Sequence, residues 1–177
     1  MSRPQPPRPA KLIIGLFTNR QDLIHPVAAL LVERLGAIDM VSPCFPFDFT
    51  HYYEKEMGHS LVRRVLVFKT LIQQDELADI KLLTNDIEMQ FSIHDARQVN
   101  IDPGYLLLER LVLATGKNFA HRIYIGKNIY ADLTLIYHTS GFQSLPWTYP
   151  DYAHDDMKLF LTRVRKKYIE DLKDFSR

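Results

Sequence analysis

Residues 11–18 read Lys-Leu-Ile-Ile-Gly-Leu-Phe-Thr, apolar on both faces with no polar alternation. Such a run suits a central strand covered on both sides rather than an edge strand. Leu61 to Phe68 is a second run of this kind, β-branched and apolar. Between them, Leu23, Val27, Leu30, Leu31 and Leu35 recur at helical spacing after an Asn19–Asp22 turn with Asp22 as expected N-cap, and Gly36 supplies a stop. Pro26 is tolerated because first-turn amides lack intrahelical partners. Ile38 to Ser42 reads as a short strand ended by Pro43 and Pro46.

A second helix is expected from Asp75, with Leu77, Ile80, Leu83, Ile87 and Phe91 as its core stripe, followed by a weak strand over residues 97–101. Residues 105–115 are ambiguous. Leucines, Glu109 and Arg110 favour a helix capped by Gly116, whereas Leu111-Val112-Leu113 equally suits a strand; helix is preferred. His121 to His138 reads as a hairpin around Gly126-Lys127-Asn128. The register that separates apolar from polar faces pairs Ile125 with Ile129, Ile123 with Ala131 and His121 with Leu133 on one face. Tyr124 with Tyr130 and Arg122 with Asp132 then share the other. Met157, Phe160, Val164, Tyr168 and Leu172 mark a last helix, whose basic face is either solvated or an anion or RNA contact.

The resulting order implies an α+β fold: a split βαβ, ferredoxin-like core with an added β-hairpin and a C-terminal helix. Residues 1–10 hold five prolines and are expected to be a disordered tail or a docking peptide for a proline-reading partner; residues 11–177 form one domain. The apolar run after the tail is too short and too late for a signal peptide, and no stretch approaches the roughly 20 apolar residues that span a bilayer. Net charge is +1, which gives no broad basic footprint for duplex DNA. Cys44 is the only cysteine, so no internal disulfide or multi-thiolate zinc site can form. A cytoplasmic protein is expected.

No phosphate-binding P-loop, dinucleotide fingerprint, nucleophile elbow or His-Glu-x-x-His is present; Thr115-Gly116-Lys117-Asn118 lacks both the upstream glycine and the hydroxyl residue. Chemistry, if carried, falls to three clusters. The first offers Asp48, His51, Tyr52, Glu54 and Glu56 around a short helix, where imidazole and carboxylate could exchange protons or hold a divalent metal, or simply pack a loop. The second is Asp102-Pro103-Gly104-Tyr105, read as a type II turn that holds a carboxylate. The third, around Trp147, Tyr149 and Tyr152 between Pro146 and Pro150, either seals the core or walls a pocket. His121 is a core histidine or a participant. Lys117, Arg122 and Tyr124 could hold an anionic group, although Asp132 is placed to pair Arg122.

Together these segments resemble a known bacterial family. Phe47-Asp48-Phe49-Thr50 with Tyr52-Tyr53-Glu54 and Glu56-Met57-Gly58, Asp102-Pro103-Gly104-Tyr105, His121-Arg122-Ile123-Tyr124, Ile129-Tyr130-Ala131 and Pro146-Trp147-Thr148-Tyr149-Pro150-Asp151-Tyr152 resemble domain of unknown function 4416. The resemblance runs from about Lys11 to the end and implies no activity or catalytic residue. Relatives sometimes bear a GTP-binding label, but this chain shows neither a P-loop nor Asn-Lys-x-Asp. Three functions are weighed. The first is a small-molecule or nucleotide binder, as a hydrolase or transferase: Asp48, Glu54, Glu56, Asp102 and His121 would act as acids and bases, with His51, Tyr52, Tyr105, Lys117, Arg122, Tyr124, Trp147 and Tyr149 as contacts. The second is a non-enzymatic RNA- or protein-binding module. The third is a structural or assembly role. No cofactor or dedicated metal is assigned.

Overall fold

The computed structural model describes residues 3–94 and 96–175. Of the expected tail, residues 1 and 2 lie outside the described residues, as do residues 176 and 177 of the expected domain. Near the tail's end, Arg8 and Pro9 carbonyls accept hydrogen bonds from Gln74 and Tyr168, and Ala10 is already the first residue of a strand.

The elements are β1 (Ala10–Thr18), α1 (Ile24–Leu35), β2 (Ile38–Val41), β3 (Phe45–Pro46), α2 (Glu54–Met57), β4 (Val62–Ile72), α3 (Leu77–Gln90), β5 (Ser92–Ile93) and β6 (Ala96–Arg97). They continue with β7 (Asn100–Leu106), β8 (Arg110–Thr115), β9 (Arg122–Gly126), β10 (Ile129–His138), β11 (Gly141–Ser144), α4 (Pro150–Ala153) and α5 (Asp155–Phe175). Nine strands make one sheet in the order β11-β10-β8-β7-β1-β4-β2, with β3 beside β4 and β9 beside β10; β5 and β6 form a separate ribbon. The pairings are antiparallel. This is a mixed α/β protein, and its sheet is larger than the sequence suggested because β8, β10 and β11 extend the core strands instead of standing apart.

β1 is buried along its whole length, as its two-faced apolar run requires. α1 buries Val27 and Leu31, α3 buries Leu77, Ile80 and Ile87, and α5 buries Met157, Phe160, Val164 and Tyr168. Each such side chain contributes roughly 1.5–3 kcal/mol of burial. Lys11 is also fully buried. Its ammonium donates at 2.7 Å to Asp39 of β2 and at 2.7 Å to Asp171 of α5, which ties that helix to the start of β1.

Several expectations change. Residues 105–115 are not a helix but the end of β7, a turn and β8. Leu106, Leu107, Leu111 and Leu113 are all buried and Val112 is 5% exposed, so no solvated helical face exists; pairing with β7 and β10 overrides leucine's weak helical preference. Asp102-Pro103-Gly104-Tyr105 is not a turn, since β7 runs straight through it. Pro103 opposes Ile14 of β1 and has no partner in β8, so its missing N–H leaves no ladder bond unmade there. Asp22 does not cap α1; a 3-10 turn over Gln21–Leu23 precedes it and Asp22 pairs with Arg20.

In the hairpin, Tyr124 opposes Tyr130, Ile123 opposes Ala131 and Arg122 opposes Asp132, as the face argument required. Ile125 does not oppose Ile129; Gly126 does. The turn is tight, with Lys127 and Asn128 both at positive φ, and an irregularity between Ile129 and Tyr130 restores the register. The faces also invert in exposure: Ile123 is 72% exposed while Asp132 is buried.

Candidate functional site

β7 and β8 pair only where Gly104, Tyr105 and Leu106 oppose Leu113, Val112 and Leu111. Beyond Gly104 the strands part, and a cavity of about 620 Å³ opens between them, with Asn100 and Asp102 on one side and residues 113–117 on the other. The freed edge of β7 is met by α3. Lys81 Nζ donates to the Ile101 carbonyl at 2.8 Å, and the Ile101 N–H donates to Glu88 Oε1 at 2.6 Å. Lys81, Thr84 and Glu88 are buried on one face of α3, beside its apolar stripe. That burial pushes the Glu88 carboxyl above its ordinary value, against the pull of Lys81.

At one end of the cavity lies Arg63 of β4, 3% exposed. Its guanidinium sits 4.9 Å from the centres of the Phe17 and Phe47 rings and 5.0 Å from that of Tyr152. Nε lies 2.9 Å from Asp151 Oδ2 without hydrogen-bond alignment, and Nη2 reaches Asp102 Oδ2 at 3.4 Å. Burial works against the charge, but the Asp151 and Asp102 carboxylates outweigh it and hold the guanidinium above its ordinary value. Burial pushes Tyr152 up, so its phenol stays neutral, and pushes Asp151 up in opposition to Arg63. β1 accommodates this crowd only through Gly15: a Cβ there would stand 2.6 Å from Tyr152 Oη and 2.9 Å from Arg63 Nη1.

Arg97 makes the next wall. It donates to both Glu56 oxygens, at 2.7 and 2.8 Å, and to Asn100 Oδ1 at 2.9 Å, with Glu88 at 3.4 Å. The hydrogen bonds from Arg97 hold Glu56 below the ordinary carboxylate range. Opposite, buried Asp132 of β10 receives Arg122 Nε at 2.9 Å and stands 3.2 Å from His121 Nε2. Arg122 also donates to Tyr149 Oη at 2.6 Å. His121 stacks on Trp147 at 4.9 Å, and the indole N–H donates to the Leu133 carbonyl.

The mouth is formed by the segment between β3 and α2. Phe47 stacks on Phe17 at 4.5 Å and Tyr53 meets Phe17 edge-on at 4.8 Å, so the rings fix this segment in a small separate core with Met57 and Leu61. Burial, with Asp102 nearby, pushes Tyr53 up to about 12. Lys117 is exposed at the edge of the lining, with Nζ 3.4 Å from Tyr52 Oη and 4.8 Å from its ring centre.

Of the residues singled out in the sequence, Asp102, Tyr52, Lys117, Tyr149 and Tyr152 line the cavity. Glu56, His121 and Arg122 stand behind it and reach it through Arg97, Asp132 and Tyr149. The other six do not line it. Asp48 is exposed. Glu54 turns to two exposed histidines, His51 at 2.6 Å and His59 at 3.3 Å, and the His51 hydrogen bond lowers its carboxyl. Tyr105 follows Gly104 on the opposite side of β7 from Asp102. Tyr124 is exposed against Tyr130, and Trp147 backs His121. Among the described residues no three His, Cys, Asp or Glu side chains converge as a metal site.

Sequence reading missed Arg63, Lys81, Glu88, Arg97, Asn100, Asp132 and Asp151 as wall residues. A signal existed for three of them: Lys81 and Glu88 lie seven residues apart, two helical turns, beside the apolar stripe. Arg63, together with Arg64, interrupts a run that is otherwise apolar and β-branched.

Part of the basic face of α5 is committed elsewhere, while Arg163 and Lys166 are exposed. Arg165 donates to the Leu108 carbonyl over the Tyr137 ring, Lys167 pairs with Asp171, and Lys158 reaches Asp155. No described helix is long and apolar enough to cross a membrane.

Fold and cavity define a mixed α/β protein, built on one large sheet and a small ribbon, with a charged, ring-walled pocket where two sheet strands separate. The chain belongs to the family described as domain of unknown function (DUF4416), whose model matches residues 8–168. It has no match among curated proteins or among solved structures.

Proposed function

We propose that this protein binds a small organic molecule of nucleotide size in the cavity between β7 and β8. The observation that carries the reading is one cavity walled by ionisable side chains and rings from distant parts of the chain, among them Arg63, Lys81, Arg97, Asp102, Tyr53 and Tyr149. A volume of about 620 Å³ falls within the range of small-molecule sites.

Asp102 is the group placed to act on a bound molecule as a hydrolase or transferase would need. Its contacts to Arg63 and Lys81 are long, 3.4 and 3.9 Å, so its lone pairs remain available, and 28% of its side chain is exposed. The same reading takes β1, α1, β2, β4, α3 and β7 as a split βαβ, ferredoxin-like core, supported by the strand order β7-β1-β4-β2. It places the protein in the reducing cytoplasm, which the exposed lone thiol of Cys44 suits.

A thermal-shift screen of metabolites and nucleotides tests it. A ligand at a hundred times its Kd should add about 2.7 kcal/mol to stability. Asp102→Asn should keep the unliganded melting point and lose the ligand shift. Selective binding that survives D102N would place the site elsewhere.

A further inference from the structure

We infer that the molecule is a nucleoside 5′-monophosphate, seated with its base inside the cavity and its phosphate at the mouth on Lys117; this rests on the ligand-binding reading above. Charge decides the orientation. Inside, every cation is already answered: Arg63 by Asp151 and Asp102, Lys81 by Asp102, and Arg97 by Glu56 and Glu88. A phosphate seated there would meet these carboxylates with no spare positive charge, and at low dielectric the repulsion is strong.

The inner walls instead ask for an uncharged ring with donors and acceptors on its edge. Arg97 donates to Asn100 Oδ1 and so fixes that amide, because a guanidinium can only donate; Asn100 Nδ2 is thereby left with no protein acceptor. Two residues along the same face of β7, Asp102 offers free lone pairs, roughly 6.6 Å away by the strand rise. Phe47, Tyr53 and Tyr149 supply aromatic surface against which a base can stack.

At the mouth the balance reverses. Lys117 is exposed, and among the described residues no carboxylate lies within ion-pairing distance of it; its contacts are the hydroxyl and ring of Tyr52. One free ammonium matches one terminal phosphate.

The test is calorimetric titration of the full chain with the four ribonucleosides, their 5′-monophosphates, and inorganic phosphate and pyrophosphate. At least one nucleoside should bind, and its monophosphate should bind roughly five- to tenfold tighter. Lys117→Ala, at an exposed site that should fold normally by circular dichroism, should erase that ratio and leave nucleoside affinity unchanged. Saturation-transfer NMR should show stronger saturation of base protons than of the 5′ protons. Competition by inorganic phosphate or pyrophosphate at equal concentration, a monophosphate advantage that survives K117A, or no binding of any nucleoside or nucleotide at millimolar concentration would each overturn the assignment. If molecules of another class bind in a D102N-sensitive way, the binding site stands and the nucleotide assignment falls.

Discussion

Two buried ionic clusters lie along one face of β1, and they are built to opposite ends. At its start, Lys11 is answered by Asp39 and Asp171, with Lys167 bonded to Asp171 and 3.8 Å from Asp39. Two cations and two carboxylates close on one another and join β1, β2 and α5, leaving Asp39 Oδ1 as the unpartnered atom. Four residues on from Lys11, Gly15 lies under the Arg63 cluster, whose Arg63, Asp102, Asp151 and Tyr152 line a cavity. The first arrangement ties two strands to a helix. The second borders the cavity, where its side chains have open space on one side.

The contrast predicts a ranking of damage. Lys11→Met should be the most harmful, because it strands two carboxylates that only Lys167 can partly compensate. Breaking a buried ion pair in this way costs about 3–5 kcal/mol. Chemical denaturation should show the loss as a lower midpoint at unchanged slope. A loss under 1 kcal/mol would mean that the closed cluster is not structural, and the comparison would fail. Next comes Gly15→Ala, whose new methyl must displace Tyr152 Oη and Arg63 from a ring-packed site. Overpacking of that kind costs about 1–3 kcal/mol, and here it should weaken ligand binding as well, since Arg63 and Tyr152 belong to residues that line the cavity.

The same contrast explains what could be read from the sequence. β1, β4, α1, α3 and α5 were legible because each obeys one hydrophobic period along its own length. The hairpin register was legible away from the turn because pairing Arg122 with Asp132 and Tyr124 with Tyr130 is local, whereas the loop length, and with it the partner of Ile129, was not. Residues 105–115 were not, because neighbouring strands from elsewhere in the chain decide between a leucine-rich helix and a strand. The site divided the same way. Asp102, Tyr52, Lys117 and Tyr149 stood out as ionisable or aromatic residues in distinctive segments. Arg63, Lys81 and Glu88 sit inside regular elements, where a charged residue looks like a solvated one until tertiary packing buries it. The acids at Asp48 and Glu54 misled for the opposite reason: the loop is fixed by its rings, and those carboxylates stay at the surface.

Glu56 gives a smaller effect with a defined sign. Arg97 holds its carboxyl below the ordinary value. A carboxyl lowered on folding stabilises the fold above its unfolded value, near pH 4.3, and that contribution is lost as pH falls through the lowered folded value. The pair is partly exposed, so Glu56→Gln should cost only about 0.5–1 kcal/mol at pH 7. Denaturation curves of the two proteins should converge below roughly pH 4. A gap that widens in acid would show that Glu56 acts through something other than its charge.

The smallest stability change should come from Asp102→Asn, and it sharpens the comparison most. Asp102 opposes Gly15 directly in the sheet, yet its contacts at 3.4 and 3.9 Å are long, and Arg63 keeps Asp151 when Asp102 is neutralised. The isosteric amide should therefore shift unfolding free energy by under about 1 kcal/mol, in the range of exposed pairs rather than closed buried ones. Lys11→Met and Asp102→Asn, measured side by side, separate the two roles: one charge is held for the fold, the other is kept available. Were D102N to destabilise the protein as much as K11M, Asp102 would belong to the scaffold, and the open cluster would be a second closed one whose partners are spaced a little too far apart.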